Sequence, residues 1–239
     1  MWPHFLLMVF PMSRILALDT STDACSVALQ LDGTILQETR VEPRRHTHLL
    51  LPMVEQLLAE AGVTLRSLDA IAFGRGPGSF AGIRIATGAA QGLALGSELP
   101  LVPVSTLAAM ALEAKQRMPE AQQVATALDA RMDEIYWGAF DLTGVLPEAL
   151  MAESVRAPEQ AELPADSAWI GVGSGWRYRE QMPSKVQQLI QSPELDLYPR
   201  AEAMLPLAQA LLDQGGALDP AEATPVYLRE GSWKKKDQQ

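Results

Sequence analysis

Apolar residues along this chain recur with two alternating periods. Residues 15–18 form a short apolar run that ends in the polar stretch Asp19, Thr20, Ser21, Thr22, Asp23. Residues 25–31 and 34–39 then alternate with period two around Asp32-Gly33, the strongest short-range signal for a β-hairpin. The period next lengthens. Leu49, Leu50, Met53, Val54, Leu57, Leu58 and Ala61 form a wide helical arc, with Thr47 placed to cap it and Gly62 to stop it. An arc this broad covers a sheet and leaves apolar surface over, so it reads as a deep core helix or a helix with a partner. A buried strand at 70–73, a glycine turn, a helix to about Ser97 and a strand at 101–104 complete the first half.

Past Ser105 the order starts again with an alanine-rich helix at Thr106–Arg117, a strand at 124–128, a polar loop and a strand at 134–140. Residues 142–167 are rich in Pro, Ala and Glu and carry no readable period. A strand at 168–172, a Gly173-Ser174-Gly175 turn and a helix at 204–212 closed by Gly215-Gly216 follow. The pattern predicts an α/β protein with mixed sheets and a loose internal repeat: a first lobe at 12–105, a second at 106–223 and a C-terminal segment at 224–239.

One stretch, 73–96, departs from ordinary patterning. Arg75-Gly76-Pro77-Gly78-Ser79 marks a tight turn or a close approach of backbone. The helix after it carries Gly88, Gly92 and Gly96 at i, i+4 and i+8, one line along one face. Each glycine costs about 1 kcal/mol relative to alanine in a helix interior, so three in line call for a reason beyond helix formation. A groove free of side chains, which lets another helix approach, supplies one.

Composition narrows the function. Of 239 residues 48% are hydrophobic and 20% charged, enough for a sizeable core. A net charge of −10 disfavours firm binding of a phosphate backbone, so any RNA role is indirect and needs a basic partner. Cys25 is the single cysteine, which excludes an internal disulfide and a cysteine-built zinc site and points to a reducing, cytoplasmic setting. Residues 1–11 are apolar but lack the parts of a signal peptide and are too short to span a bilayer. They read as an extension upstream of a start at Met12, and the three lysines 234–236 as a solvated tail.

Candidate chemistry is sparse. Asp19, Thr20 and Ser21, with Asp23 beyond them, stand where phosphate and magnesium could be held, and two acids among hydroxyls are equally ordinary turn chemistry. Gly76 and Gly78 could cradle a phosphate at the helix start, without a P-loop lysine, or serve as a packing turn. Gly171, Gly173 and Gly175 read as a strand-to-helix turn, and Asp129, Asp133 and Glu134 as hairpin polarity around an unassigned Arg131. His46 and His48 do not face each other on a helix, and neither a Ser-His-Asp nor a His-Glu-x-x-His arrangement exists.

With ILALDTSTDACSVAL, FGRGPGSFAGIRI, ALDARMDEIYWGAFD and TPVYLR in this order, the chain resembles the bacterial TsaB family, also called YeaZ, from about Met12 to Arg229. The resemblance implies the actin-like, sugar-kinase-like ATPase (ASKHA) fold. It also implies a scaffold role beside the larger paralogue TsaD and the ATPase TsaE in placing threonylcarbamoyl on N6 of adenosine 37 of tRNAs. TsaD-like chains carry Thr-Ser-Cys-Asp-Glu-Thr where this chain has residues 20–25, and their glutamate is Ala24 here. The two metal-binding histidines of such chains correspond to Thr106 and Met110. The expectation is therefore a chain without catalytic or metal residues and with no tightly bound cofactor, ATP and metal sitting on the partners. It forms a homodimer when alone and a heterodimer with a TsaD-like chain. The interface is expected on Leu50, Met53, Val54 and Leu57 of the first helix and on Arg84, Gly88, Gln91, Gly92, Leu95 and Gly96 of the second. The alternative is an independent ATPase or phosphotransferase of the same fold using Asp19 or Asp23 with magnesium.

Overall fold

A computed structural model describes residues 12–190 and 192–229. The upstream extension, His4 and the lysine tail lie outside the described residues. The chain opens with β1 (Ile15–Asp19), β2 (Ala24–Leu31) and β3 (Thr34–Val41), an antiparallel meander. Helix α1 (His46–Ala61), β4 (Ala70–Gly76), α2 (Phe80–Ser97) and β5 (Leu101–Ser105) follow, and β4 and β5 add in parallel to give the order β3-β2-β1-β4-β5.

The alternation in β1 sorts its side chains between two cores. Leu16 and Leu18, with Val27, Leu29 and Phe73, face α1 and α2, whereas Ile15 and Ala17, with Ala28, Ala72 and Val104, face the opposite side. A sheet covered on both faces needs continuous apolar strands, which is why β1 and β4 read as runs. Helix α1 starts at His46 with Arg45 before it, so Thr47 is inside the helix rather than its cap. Gly62, at φ 66°, closes it in the left-handed conformation that glycine adopts freely.

The second lobe repeats the plan in shorter form. Helix α3 (Thr106–Arg117) leads to β6 (Gln123–Arg131) and β7 (Glu134–Asp141), which pair antiparallel. The stretch without a period contains β8 (Glu148–Ala149) and β9 (Ser154–Arg156), both on β7, and β10 (Ile170–Val172) then joins β6 in parallel. Trp137 and Trp176, ring centroids 5.5 Å apart, fill one face of this sheet, and each indole N–H reaches a backbone carbonyl, of Glu162 and Ala125. The short helix α4 (Ser184–Leu189) covers that side. These two mixed sheets with their crossovers form the actin-like fold.

Helix α5 (Ala201–Asp213) corrects the expected division at 105/106. Its Ala201, Met204, Leu205 and Ala208 pack on the first sheet against Ile15, Ala17 and Val102, so the end of the chain returns to the first lobe. The reason is the second apolar face of that sheet, which no earlier element covers fully. Helix α3 is shared, with Ala109 toward the first sheet and Leu107, Met110 and Ala114 toward the second.

Leu50, Met53, Val54 and Leu57 lie inside the first core, 1–2% exposed, and are not interface residues of the folded chain. Leu57→Ala is expected to cost about 3 kcal/mol in chemical denaturation, as for other buried leucines. Leu51→Ala, on the exposed side of α1, should change stability by less than about 0.5 kcal/mol.

Candidate functional site

The loop after β1 and the turn before α2 meet at the C-terminal ends of β1, β4 and β5, the edge where open α/β sheets bind ligands. The structure does bring Asp19, Thr20, Ser21, Gly76 and Gly78 together, but against one another. The Ser79 N–H donates to the Ser21 carbonyl at 2.7 Å and the Thr20 hydroxyl donates to the Gly82 carbonyl at 2.7 Å. A Cβ on Gly78 would stand 2.4 Å from the Ser21 carbonyl oxygen, and one on Gly82 2.0 Å from that of Thr20. Backbone thus lies directly against backbone here, and the Ser79 N–H at the start of the helix is already engaged within the chain. Gly76, at φ 100°, faces the carbonyl of Val226 instead.

Asp19 is fully buried beneath this seal. Its Oδ1 accepts from the Ser21 N–H at 2.9 Å and from the Ser21 hydroxyl at 2.7 Å, while Oδ2 has no partner and points at Gly74, where a Cβ would stand 1.9 Å from it. Burial pushes the carboxyl up to about 6, against the two Ser21 hydrogen bonds that favour the charge. Among the described residues no three metal-ligating side chains converge. At the two positions corresponding to metal histidines, Thr106 is buried with its hydroxyl unpartnered, and Met110 packs in the second core, its methyl 2.5 Å from where a Cβ of Gly173 would be. Gly171 and Gly175 likewise make room for Trp176 and Ala127. Asp129 accepts from the Arg131 N–H and pairs with Arg177, Glu134 pairs with Arg229 of the C-terminal segment, and Asp133 is exposed, so the three acids do not form one cluster. His46 is buried and His48 exposed, at the start of α1.

The outer side of α2 is different. Ala86, Ala90 and Ala94 face inward, whereas Gly88, Gly92 and Gly96 are exposed, and a Cβ on any of the three would meet no atom within 4 Å. Beside this line Leu95 is 62% exposed and Phe80, at the start of the helix, 61%. The exposed Arg84 lays its guanidinium 3.6 Å from the Phe80 ring centroid and donates from Nε to the Tyr227 hydroxyl at 2.7 Å. Gln91 is half-buried and donates to the carbonyls of Pro220 and Ala223, so it holds the C-terminal segment. The expected interface residues therefore divide: α2 presents Arg84, Gly88, Gly92, Leu95 and Gly96 to solvent, α1 keeps its four inside. Phe80 and Tyr227 share this exposed side of α2, and the sequence reading did not single them out, although Tyr227 lies in the TPVYLR motif.

Comparison with known proteins places this geometry. A family model described as TsaD, tRNA N6-adenosine threonylcarbamoyltransferase, matches residues 38–205. The chain is 42% identical over 229 residues to the tRNA threonylcarbamoyladenosine biosynthesis protein TsaB of Escherichia coli, covering 93% of this chain and 97% of that one. The protein of the same name from Haemophilus influenzae is 41% identical over 232 residues, with 92% and 96% covered. The solved structure of YeaZ from Pseudomonas aeruginosa superposes with a TM-score of 0.84 at 48% identity, over 91% of this chain and all of that chain, 100%.

Three substitutions probe these positions. On α2, Gly88→Ala should raise stability by about 1 kcal/mol, because helix propensity is gained and nothing is struck. Gly82→Ala should lower it by roughly 3 kcal/mol or more through the clash with the Thr20 backbone. For Asp19, the folded-state value of about 6 lies above the ordinary 3.8, so its favourable contribution is complete below about pH 4 and is lost as pH rises through 6. Wild type should therefore lose about 3 kcal/mol relative to Asp19→Asn between pH 4 and pH 7.5 in urea titrations. Parallel pH profiles of the two proteins would refute a buried, titrating carboxyl.

Proposed function

The chain belongs to the TsaB family, and from that premise we propose that it is a non-catalytic subunit of tRNA threonylcarbamoyladenosine formation. It pairs through the exposed face of α2 with a TsaD-like paralogue and forms a homodimer through that face when alone. With a TsaE-like ATPase acting through the complex, it supports transfer of threonylcarbamoyl to N6 of adenosine 37 in tRNA.

The observation that carries this reading is the open glycine line. Three glycines at which an added Cβ would meet nothing in the chain forgo about 1 kcal/mol of helix stability each, and internal packing does not account for them. A helix laid along Gly88, Gly92 and Gly96 could approach backbone to backbone, with Phe80, Arg84, Leu95 and Tyr227 as rim contacts of the types enriched in interfaces. The sealed Asp19 loop and the apolar packing of Met110 support placing nucleotide and metal on the partners. The net charge of −10 supports an indirect relation to tRNA. No helix among the described residues is long and apolar enough to cross a membrane, which agrees with a cytoplasmic setting.

Mass measurement in solution tests the reading. The purified chain mixed with its TsaD paralogue at micromolar concentration should form a hetero-complex. Gly92→Leu, which fills the groove without touching the core, should weaken both this complex and self-association at least about ten-fold, a loss of roughly 1.4 kcal/mol. The absence of a hetero-complex, together with modification that proceeds without this chain, would overturn the proposal. Calorimetry of the chain alone with ATP and magnesium should show no tight binding.

A further inference from the structure

The last described residues form an extended strap that touches both lobes. At residue 218 it pairs with Leu101 at the edge of β5, and it then runs along α2, held by Gln91 at Pro220 and Ala223. The Val226 N–H donates to the Arg75 carbonyl at 2.8 Å. Tyr227 lies tilted beside Phe80, centroids 5.8 Å apart, and its hydroxyl accepts from Arg84. Two residues on, where the chain bends, Arg229 reaches the second lobe. Its guanidinium donates to the carbonyls of Ala130 at 3.1 Å and Arg131 at 3.3 Å, to the Glu134 carboxylate and to the Met132 sulfur at 3.4 Å.

That contact falls on a run of left-handed backbone. At the β6–β7 turn, Arg131 at the end of β6 and Met132 and Asp133 beyond it have φ of 63°, 57° and 57°, three successive side-chain-bearing residues in the left-handed region. Such a turn persists where its surroundings over-determine it. Here Asp129 holds it from the β6 side, accepting from the Arg131 N–H at 2.8 Å, and Arg229 holds it from the strap. The tip presents Met132 to solvent at 80% exposure.

We propose that the strap is a coupling device: it links the outer face of α2 to the β6–β7 turn, so that fixing or freeing Tyr227 on the first lobe tightens or loosens the strained turn on the second. The link is short, one residue between the two anchoring side chains, and both anchors are polar contacts at the surface, which local opening reaches first. In its functional consequence the device rests on the reading of α2 as the docking face. A partner on that face orders Arg84 and Tyr227, and the second lobe registers the event as a stiffer hairpin tip carrying Met132.

Hydrogen exchange followed by mass spectrometry on the full chain tests this in two arms. In the free protein, Tyr227→Phe, which removes only the hydroxyl that Arg84 contacts, should speed exchange at residues 130–134 roughly five-fold, the effect of one hydrogen bond lost at the other end of the strap. Arg229→Ala should speed it at least as much. Arg45→Ala, which removes an exposed ion pair with Glu42 before α1, should leave it unchanged. Unaltered exchange at the hairpin in Tyr227→Phe overturns the coupling. In the second arm, compared with the chain diluted below its self-association, the complex with the TsaD paralogue should slow exchange at 130–134 in wild type and not in Arg229→Ala. A complex that forms without slowing the wild-type hairpin overturns the coupling and spares the docking reading, whereas failure to form any complex sinks the docking reading and leaves the first arm to decide the coupling.

Discussion

The backbone seam between the β1–β2 loop and the start of α2 sets the geometry of the first lobe. Ser79 N–H to the Ser21 carbonyl, and the Thr20 hydroxyl to the Gly82 carbonyl, fasten α2 to the end of β1 at a spacing that only glycine at 78 and 82 permits. Once the helix is fixed there, its 3.6-residue period decides the rest. Ala86, Ala90 and Ala94 fall on the sheet, and Gly88, Gly92 and Gly96 fall outside. The seam packs backbone against backbone at this sheet edge and leaves the glycine line facing solvent, so the two features share a physical cause. Asp19, left beneath it with an unpartnered oxygen, is the residue that bears the electrostatic cost.

The lobes are joined by side chains as well as by connectivity. Arg75 at the end of β4 pairs with Glu153 at 3.2 Å, and the other oxygen of that carboxylate accepts from Ser105, whose Oγ also caps α3. Glu113 within α3 meets Arg117 and Arg200, drawing the helix toward the start of α5. These partly buried pairs lie where the apolar cores end, and they align the lobes along α3, whose two sides belong to different sheets.

The sequence makes the repeating elements legible wherever a period is imposed by burial. The Asp32-Gly33 hairpin, the Gly62 cap and the strands of the first sheet appear nearly as read. Strands β8 and β9, two and three residues long, carry no period because they are held by backbone pairing to β7, which leaves no mark on side-chain choice. The breadth of the α1 arc is ambiguous in principle: a sheet and a partner helix demand the same apolar spacing, and only the packing against Leu16, Leu18 and Leu29 assigns Leu50 and Leu57 to the core. Around α2 the glycine line is conspicuous because glycine is costly in a helix. Its orientation was not readable, since alanines and glycines are both small. The strap has no regular structure, and the reach of Tyr227 and Arg229 to opposite lobes depends on tertiary geometry alone.

Helix α5 carries a consequence for how the protein is made. Residues 15–105 include all five strands of the first sheet, yet one face of that sheet, with Ile15, Ala17, Val102 and Val104, is covered by Ala109 of α3 and, over the rest, by Ala201, Met204, Leu205 and Ala208 of α5. The Ser26 hydroxyl likewise waits for the Ala201 N–H, which it meets at 2.9 Å. During synthesis the amino-terminal lobe stays incomplete until nearly the whole chain has left the ribosome, holding an apolar surface open while the second lobe forms. The vulnerable moment in this protein's life is therefore the interval between emergence of β5 and arrival of α5, a period set by the length of the intervening lobe rather than by the strength of any contact within the finished structure.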